Sequence, residues 1–320
     1  MEENSSWCSS GLSVGATAFL IYINDLPSAI EEKNNTVVLY ADDTSVIITE
    51  PNPTAFKLHL NSLIEDINSW FKNNLLTLNL DKTQYLEFTP IKNLNKNGTI
   101  VCKNNHILNT VESTKFLGLT IDETLSWQPH IEILIKRMCS ACYALRSLKY
   151  LLETKTLKMI YFAHVHSLMS YGIIFWGYSS RVTKVFIMQK KILRIMYNLK
   201  PRESCKEIFK QKQIMTFYSC YIYSLILFVT NNKELFKFNN ETHRHNTRTD
   251  TNLYPMYVRL TKVTKGPYTT CIKVFNHLPQ NIKVLLHNAH QFKRKLKMFF
   301  LHNPFYSMED YFEYKDKLLN

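Results

Sequence analysis

The sequence has little glycine and no visible export signal. Glycine accounts for 7 of 320 residues, and leucine, isoleucine, tyrosine and phenylalanine are common, which argues against a largely disordered chain. No charged and then apolar leader with a cleavage site opens the chain, and the seven cysteines are odd in number and irregularly spaced. These features predict an intracellular protein with reduced thiols, and its length allows two or three domains.

Two kinds of catalytic motif are also missing, a Ser-His-Asp arrangement and a glycine-rich phosphate loop. Residue types that bind zinc do occur: Cys139 and Cys142 with His164 and His166, and His243 with His245 around Arg244. The cysteine pair, however, falls inside a predicted helix, where both thiols would fill the core. The second histidine pair is more typical of a polar loop, so we favour no zinc site.

No apolar run is clearly long enough for a membrane helix. The most hydrophobic stretch covers residues 214–230, and Thr216, Ser219 and Ser224 interrupt it. It is slightly short for a bilayer span. We therefore expect a buried core helix here and no membrane contact.

Acidic residues are few in the second part of the chain. Residues 1–130 carry 8 Lys and Arg against 15 Asp and Glu, and residues 131–320 carry 31 against 11. Basic side chains near phosphates release counterions, so a polyanion is a natural partner. Solvated, lysine-rich helix faces would give the same count. The clearest candidate for phosphate binding is a predicted helix over residues 181–197, with Lys184, Lys190, Lys191 and Arg194.

Adjacent carboxylates stand out at Asp42 and Asp43. They follow Tyr40 and Ala41, between two apolar, β-branched runs at residues 36–39 and 45–49. This pattern predicts a hairpin with acid at its tip. Carboxylates placed where the flanking strands demand burial often mark a cation site, although an acidic β-turn is the simpler interpretation.

The remaining pattern predicts an α+β fold with helices packed on a small antiparallel sheet. The predicted elements are a helix in residues 11–27 stopped by Pro27, a helix around 60–71 ended by Asn73 and Asn74, a strand at 85–88 and a second hairpin at 100–108. One more strand is predicted at 113–121, where Gly118 allows a bulge or a close backbone contact, and helices follow beyond Asp122.

From Gly11 onward, the order of these segments resembles the reverse transcriptases of jockey-like non-LTR retrotransposons. Residues 19–27 and the Tyr40 to Asp43 hairpin look like the palm, and Trp70 with residues 78–83 is similar to its next motif. Residues 116–122 look like the primer grip, and residues 127–200 like the helical thumb. Residues 245–248 and 275–279 are similar to the tail that follows the polymerase.

The resemblance implies nucleotidyl transfer with two divalent cations, Mg²⁺ or Mn²⁺, on an RNA template and a DNA primer or an RNA–DNA duplex. Asp42 would be the direct metal ligand, and Asp43 would support Asp42 or take a partial share in binding the metal. The positions implied near the primer or nucleotide are Gly11, Tyr40, Lys82, Phe116, Leu117 and Gly118. The implied architecture is a partial palm (1–125), a helical thumb (126–200) and a helical, basic C-terminal region (201–320).

The sequence departs from the family in its first residues. The family's further metal-bridging Asp, on a palm strand before the small-residue segment, has no match here, and neither do the basic fingers. No strand-like pattern surrounds Glu2 and Glu3. Ser9-Ser10 stands where the family has Pro-Gln, and Gly15-Ala16 where it has Gly-Pro.

We therefore expect no unaided polymerase activity and name an upstream polymerase fragment as a candidate partner. Two alternatives stay open. One is a nucleic-acid-binding protein without catalysis, which uses the basic helices after Ile131. The other is a transcribed relic without a selected function.

Overall fold

The chain folds into two compact units. A computed structural model describes residues 10–30, 35–41, 43–79, 81–88, 100–101, 107–239, 252–255, 261–264 and 266–314. The first unit comprises residues 1–87 and 91–112, and the second comprises residues 88–90 and 113–320. Helices combined with small sheets confirm the α+β class. The domain limits at residues 125 and 200 stay a prediction.

The first unit combines three helices with two small sheets in its described part. In chain order its elements are α1 (Ser10–Tyr22), α2 (Leu26–Ile30), β1 (Asn35–Tyr40), β2 (Asp43–Ile48), α3 (Pro53–Asn73), β3 (Gln84–Tyr85), β4 (Ile100–Val101) and β5 (Ile107–Thr110). Strands β1 and β2 form an antiparallel hairpin. Strand β5 pairs with β4 antiparallel, as the second predicted hairpin requires, and with β3 in parallel. The strand predicted at 85–88 is confined to Gln84–Tyr85.

The first helix ends earlier than predicted. Pro27 does not stop it, since α1 ends at Tyr22 and Pro27 lies in the first turn of α2. Proline is tolerated there because the first N–H groups of a helix have no intrahelical acceptor. Ile23, Leu26 and Ile30 are buried at this junction and pack with α3.

Helix α3 has strong signals at both ends. The Asn52 side chain accepts hydrogen bonds from the backbone N–H groups of Thr54 and Ala55, and Pro53 follows it in the first turn. At the other end, the Asn74 N–H donates to the Trp70 carbonyl, so the predicted end is confirmed. Leu63 and Trp70 face the core of this unit.

The second unit is mostly helical and has one large core. Its elements are β6 (Ser113–Phe116), β7 (Leu119–Asp122), α4 (Gln128–Leu148), α5 (Thr154–Tyr161), a π-helical turn (Phe162–His166), α6 (Ser167–Ser170), α7 (Ile173–Trp176), α8 (Val182–Met196), α9 (Lys206–Gln211), α10 (Phe217–Asn231), a 3₁₀ turn (Lys233–Leu235), α11 (Thr261–Thr264), α12 (Pro267–Asn276), α13 (Gln280–Lys283), a second 3₁₀ turn (Val284–His287), α14 (Ala289–His302) and α15 (Met308–Phe312).

Helix α10 lies in the middle of that core. Phe217, Tyr221, Leu225 and Ile226 on this helix are fully buried, which agrees with the core helix predicted over residues 214–230. Within the described ranges, no helix combines the length and apolar character needed to cross a membrane.

Candidate active site and nucleic-acid surface

The predicted acidic hairpin is present in the first unit. Tyr40 pairs with Asp43 at the end of the β1–β2 ladder, and Leu39 pairs with Thr44. Ala41, the first of the two residues between Tyr40 and Asp43, has a positive φ of 52°, which suits a tight two-residue connection. Asp42, the carboxylate with the main predicted role, lies outside the described residues.

The two faces of this hairpin differ in environment. Val37, Leu39, Val46 and Ile48 pack against the buried side chains of α2 and α3. On the opposite face, Tyr40 is 62% exposed, Ile47 is 57% exposed and Asp43 is exposed. Successive strand residues alternate between faces, so Tyr40 and Asp43 share the solvent face, where a ligand can reach them.

The described carboxylates do not complete a two-cation site. Asp43 is the one described carboxylate at the tip of the hairpin. Across the described part of the chain, no three His, Cys, Asp or Glu side chains come together as metal ligands. Hard cations such as Mg²⁺ need several oxygen ligands in fixed geometry, and one exposed carboxylate does not provide them.

Two other predicted site residues of the first unit, Lys82 and Gly11, lie in a turn and in a helix. Lys82 is exposed in a turn in which its N–H donates to the Asn79 side chain, at 3.2 Å. The Thr83 hydroxyl donates to the Asn79 carbonyl, at 2.9 Å. Gly11 lies in the first turn of α1.

The predicted primer-grip segment forms a hairpin of its own, β6–β7, and not the single strand that the sequence predicts. Phe116 pairs with Leu119 at its end, and Leu117 and Gly118 form the turn with φ angles of 45° and 80°. Two consecutive positive φ angles reverse the chain tightly. Leucine is rare in that conformation, which is why the sequence did not indicate a turn.

A tyrosine missed by the sequence analysis fixes this turn. The Tyr171 hydroxyl donates to the Leu117 carbonyl, although Tyr171 is 55% exposed. A Cβ atom on Gly118 would lie 3.3 Å from the Tyr171 ring, and one on Gly172 would lie 2.8 Å from Leu119 Cδ2. The break between α6 and α7 therefore holds the β6–β7 turn at close range.

Asp122 organises the start of the helical region. It is buried, and it accepts hydrogen bonds from the Ser126 N–H at 3.0 Å, the Ser126 hydroxyl at 2.9 Å and the Trp127 N–H at 2.7 Å, as well as from the Thr124 hydroxyl. Burial alone would raise the pKa of Asp122, but these hydrogen bonds favour the carboxylate and lower its pKa overall. The Asp-x-Thr-x-Ser pattern before a helix was the available signal.

The four cations predicted to bind nucleic acid do not share one face of α8. Lys184 and Lys191 are exposed, seven residues apart on one side. Lys190 is half-buried, with its Nζ 4.4 Å from the Phe186 ring centroid. The Arg194 Nε donates to the Glu203 carbonyl, at 3.0 Å. The exposed face thus presents Lys184 and Lys191 with Ile187, which is 54% exposed.

The cysteine pair is only partly in the core. Cys142 is buried as expected, whereas Cys139 is exposed. The apolar stripe of α4 runs through Met138, Cys142 and Leu145, and the next residue along a helix is turned about 100° away. His166 Nδ1 lies 4.0 Å from the Cys220 thiol, not at the pair. His243, His245 and residues 245–248 lie outside the described residues.

Comparison with known proteins supports the polymerase interpretation. The family described as "Reverse transcriptase (RNA-dependent DNA polymerase)" matches residues 3–121. The chain is 24% identical over 194 residues to the "Probable RNA-directed DNA polymerase from transposon BS" of Drosophila melanogaster. It is 26% identical over 200 residues to the "RNA-directed DNA polymerase from mobile element jockey" of the same organism.

Each of these two matches covers 58% of this chain and 21% of the relative. The chain therefore spans about a fifth of the length of the curated relatives that it matches. No solved structure matches it. Residues 3–121 thus match a reverse transcriptase family, and both curated relatives are named as RNA-directed DNA polymerases of mobile elements.

Proposed function

We propose that this chain is a palm and thumb portion of a non-LTR reverse transcriptase, which binds an RNA template with a DNA primer and does not synthesise DNA unaided. The observation that carries the proposal is the β1–β2 hairpin inside the matched residues 3–121, with Tyr40 and Asp43 on its solvent face. The grip-like β6–β7 turn and the helices after it support the same assignment.

The incomplete carboxylate set is the reason to expect no unaided synthesis. A two-metal transfer needs cations held on both the attacking and the leaving oxygens. The family resemblance places a further Asp on a separate palm strand, and no strand-like run with Asp precedes Gly11 in these 320 residues. Helix α1 also exposes apolar side chains, with Leu20 at 49% and Ile21 at 73% exposure, which fits a surface that further polypeptide covers.

Primer extension on an RNA template, with Mg²⁺ or Mn²⁺, tests this proposal directly. We expect no template-dependent product from the chain alone. We expect product once a polypeptide with the missing palm strand and fingers is added. Asp42→Asn should abolish that product, and Asp66→Asn, on α3, should not. Robust synthesis by the chain alone, lost in Asp42→Asn, would refute the proposed dependence on a second polypeptide.

A second candidate function is nucleic-acid binding without catalysis. The face of α8 that exposes Lys184 and Lys191 favours this function, since binding through these lysines needs no metal. The two functions differ at the hairpin, because only the first requires Asp42.

We also propose an intracellular location, and the five described free cysteines are compatible with it.

A further inference from the structure

Cys139 and Cys142 have no role in the polymerase assignment or in nucleic-acid binding. They lie three residues apart within α4, and they differ in exposure. Cys139 is exposed, whereas Cys142 is 6% exposed. Neither zinc binding nor core packing accounts for an exposed thiol beside a buried one.

Helix geometry brings these two cysteines close to the spacing of a disulfide. With a rise of about 1.5 Å per residue and a Cα radius of about 2.3 Å, Cα atoms three residues apart are about 5 Å apart. Disulfides span Cα distances of about 4.4–6.8 Å. The Cβ atoms at this spacing are about 5–6 Å apart, however, and a disulfide needs about 3.5–4.5 Å. A disulfide can therefore form if this turn of α4 tightens, and it would be strained.

The other described cysteines are poor candidates for reaction with a solute. Cys205, Cys220 and Cys271 are 1%, 3% and 0% exposed. Each thiol donates to a backbone carbonyl, at 3.7, 4.0 and 3.6 Å respectively. Burial raises the pKa of Cys220 and of Cys271 to about 12, and a protonated thiol is a weak nucleophile. Among the described cysteines, Cys139 alone is exposed, so a reagent in solution reaches it first.

The charges near the pair suit a negatively charged reagent. Burial raises the pKa of Cys142, and the positive charges of Lys191, on α8, and of Arg146 partly oppose that effect. Cys142 is therefore protonated at neutral pH, but its thiolate is stabilised once it forms. Arg146 is exposed and lies seven residues after Cys139, on the same side of α4, so it attracts an anion to the exposed thiol.

We propose that Cys139 and Cys142 form a reversible dithiol–disulfide site that reacts with small anionic disulfides such as oxidised glutathione. The Cys139 thiolate attacks one sulfur of the reagent, which releases one glutathione thiolate and leaves the other glutathione on Cys139. The Cys142 thiolate then attacks the Cys139 sulfur, and the second glutathione leaves as a thiolate. Each departing thiolate takes up the proton that the attacking thiol has lost. One glutathione disulfide thus becomes two glutathione molecules, and the two protein thiols become a disulfide.

The strain of this spacing makes the disulfide labile. Strained disulfides have higher reduction potentials than structural ones, so excess reduced glutathione reopens them. The pair is therefore expected as two thiols in a reducing compartment and as a disulfide under oxidising conditions.

Zinc is the main alternative ligand of a Cys-x-x-Cys pair. A structural zinc site has four protein ligands. Within the described ranges, no third His, Cys, Asp or Glu joins Cys139 and Cys142 as a metal ligand. The observations therefore favour reaction between the two thiols.

Oxidation at this site acts on the packing of α4. Cys142 belongs to the buried stripe that also contains Met138 and Leu145, and α4 packs against α8. Drawing the Cys142 sulfur toward Cys139 removes it from this stripe, and the gap that it leaves in the core costs stability. The site thus couples the redox state of the surroundings to the packing of α4 on α8.

The test is mass spectrometry of the full chain after incubation with oxidised glutathione. Cys8→Ser and Cys102→Ser remove the two cysteines that lie outside the described residues, and iodoacetamide blocks the thiols that remain free. Trypsin cleaves after Arg137 and Arg146, so both cysteines of the pair fall in one peptide, residues 138–146. We expect this peptide as an internal disulfide, and dithiothreitol should return it to two free thiols. A peptide that keeps glutathione, or that stays reduced while other thiols react, would refute the proposal.

Matched variants separate the two steps. Cys142→Ser should trap one glutathione on Cys139, because the second thiol is missing. In Cys139→Ser, Cys142 should react at least about tenfold more slowly than the pair does, since each unit by which burial raises a thiol pKa cuts its thiolate fraction tenfold. Cys205→Ser, at a thiol that is 1% exposed, is the control and should form the disulfide as the wild type does. Rapid reaction of Cys142 in Cys139→Ser would overturn the proposal, because the exposed thiol would not be the point of attack.

Thermal unfolding measures the effect of the disulfide on α4. The midpoint of the oxidised chain should fall by about 2–4 °C, and dithiothreitol should restore it. Cys139→Ser treated in the same way should show no change, and its midpoint before treatment shows whether it is folded. An oxidised wild type whose midpoint is unchanged or higher would refute the coupling to the packing of α4.

Discussion

The Tyr171 hydroxyl donates a hydrogen bond to the Leu117 carbonyl across 54 residues of sequence. It joins the grip-like turn of β6 and β7 to the break between α6 and α7. Leu117 has a positive φ, so its backbone is held in a conformation that the residue disfavours on its own. The tyrosine thus stabilises an otherwise unfavourable turn.

Tyr171→Phe should therefore loosen this turn with little effect on the rest of the unit. We expect a loss of about 0.5–1.5 kcal/mol in the free energy of unfolding, typical of one hydrogen bond, measured by urea denaturation. Amide exchange at Gly118 and Leu119 should become faster. Tyr143→Phe is the control, since that ring is 74% exposed. If both variants lose the same free energy of unfolding, the hydrogen bond does not stabilise the turn.

Gly172→Ala should destabilise the second unit. Its φ is 58°, and the added Cβ would lie 2.8 Å from Leu119 Cδ2, so a side chain that is 8% exposed must move. We expect a cost of about 1–3 kcal/mol, measured by thermal unfolding. Gly15→Ala on α1 meets nothing within 4 Å, and it should be neutral or stabilising because alanine favours a helix. Comparable losses in both would contradict this packing argument.

Asp122→Asn should cost about 2–3 kcal/mol, because hydrogen bonds to a charged acceptor are strong. The pH dependence has a definite sign. The pKa of Asp122 is lowered in the folded chain, so its stabilisation is complete above the unfolded-state pKa and is lost as the pH falls through the folded-state pKa. The free energies of unfolding of the wild type and the variant should therefore converge in acid, below about pH 4. Glu207→Gln, an exposed position, should show no such convergence.

Lys283 should give a pH dependence of the same sign, but in alkali. Its Nζ donates to the Asn252 side chain at 2.6 Å and to the Asn276 carbonyl at 2.8 Å, and burial lowers its pKa to about 8. Between about pH 8 and 10.5, the unfolded chain binds this proton more tightly, so stability rises with pH relative to a Lys283→Met variant. Lys273→Met, at an exposed lysine on α12, is the control. A wild-type advantage that stays constant from pH 7 to 10 would show that burial does not perturb Lys283.

Helix α8 should contribute to nucleic-acid binding through Lys184 and Lys191. Changing both to Gln should weaken binding to an RNA–DNA duplex and lower the slope of log K against log salt by about 2. Changing Lys190 and Arg194 to Gln should have a smaller effect on the slope, since Phe186, Tyr306 and the Glu203 carbonyl already engage them. Titrations at several salt concentrations measure the slope. Equal slopes for the two double variants would contradict the larger role of Lys184 and Lys191.

The sequence predicted elements best where the signals were local. The end of α3 and the β1–β2 hairpin follow from neighbouring residues. The turn at Leu117 and Gly118 could not be foreseen, because it depends on Tyr171, far along the chain. Which α8 cations are exposed and which are engaged could not be foreseen for the same reason, because Arg194 contacts residue 203 and Lys190 contacts residue 306.

The solvent face of the β1–β2 hairpin also has a consequence for the behaviour of the chain in solution. Among the described residues, this sheet has two strands, so each strand has an outer edge with which no other described strand pairs. Apolar side chains such as Val38 and Ile47 lie beside those edges. Exposed strand edges recruit further strands. A completing palm strand and a second copy of this chain would therefore compete for the same edge, and a complementing polypeptide should raise solubility as well as activity.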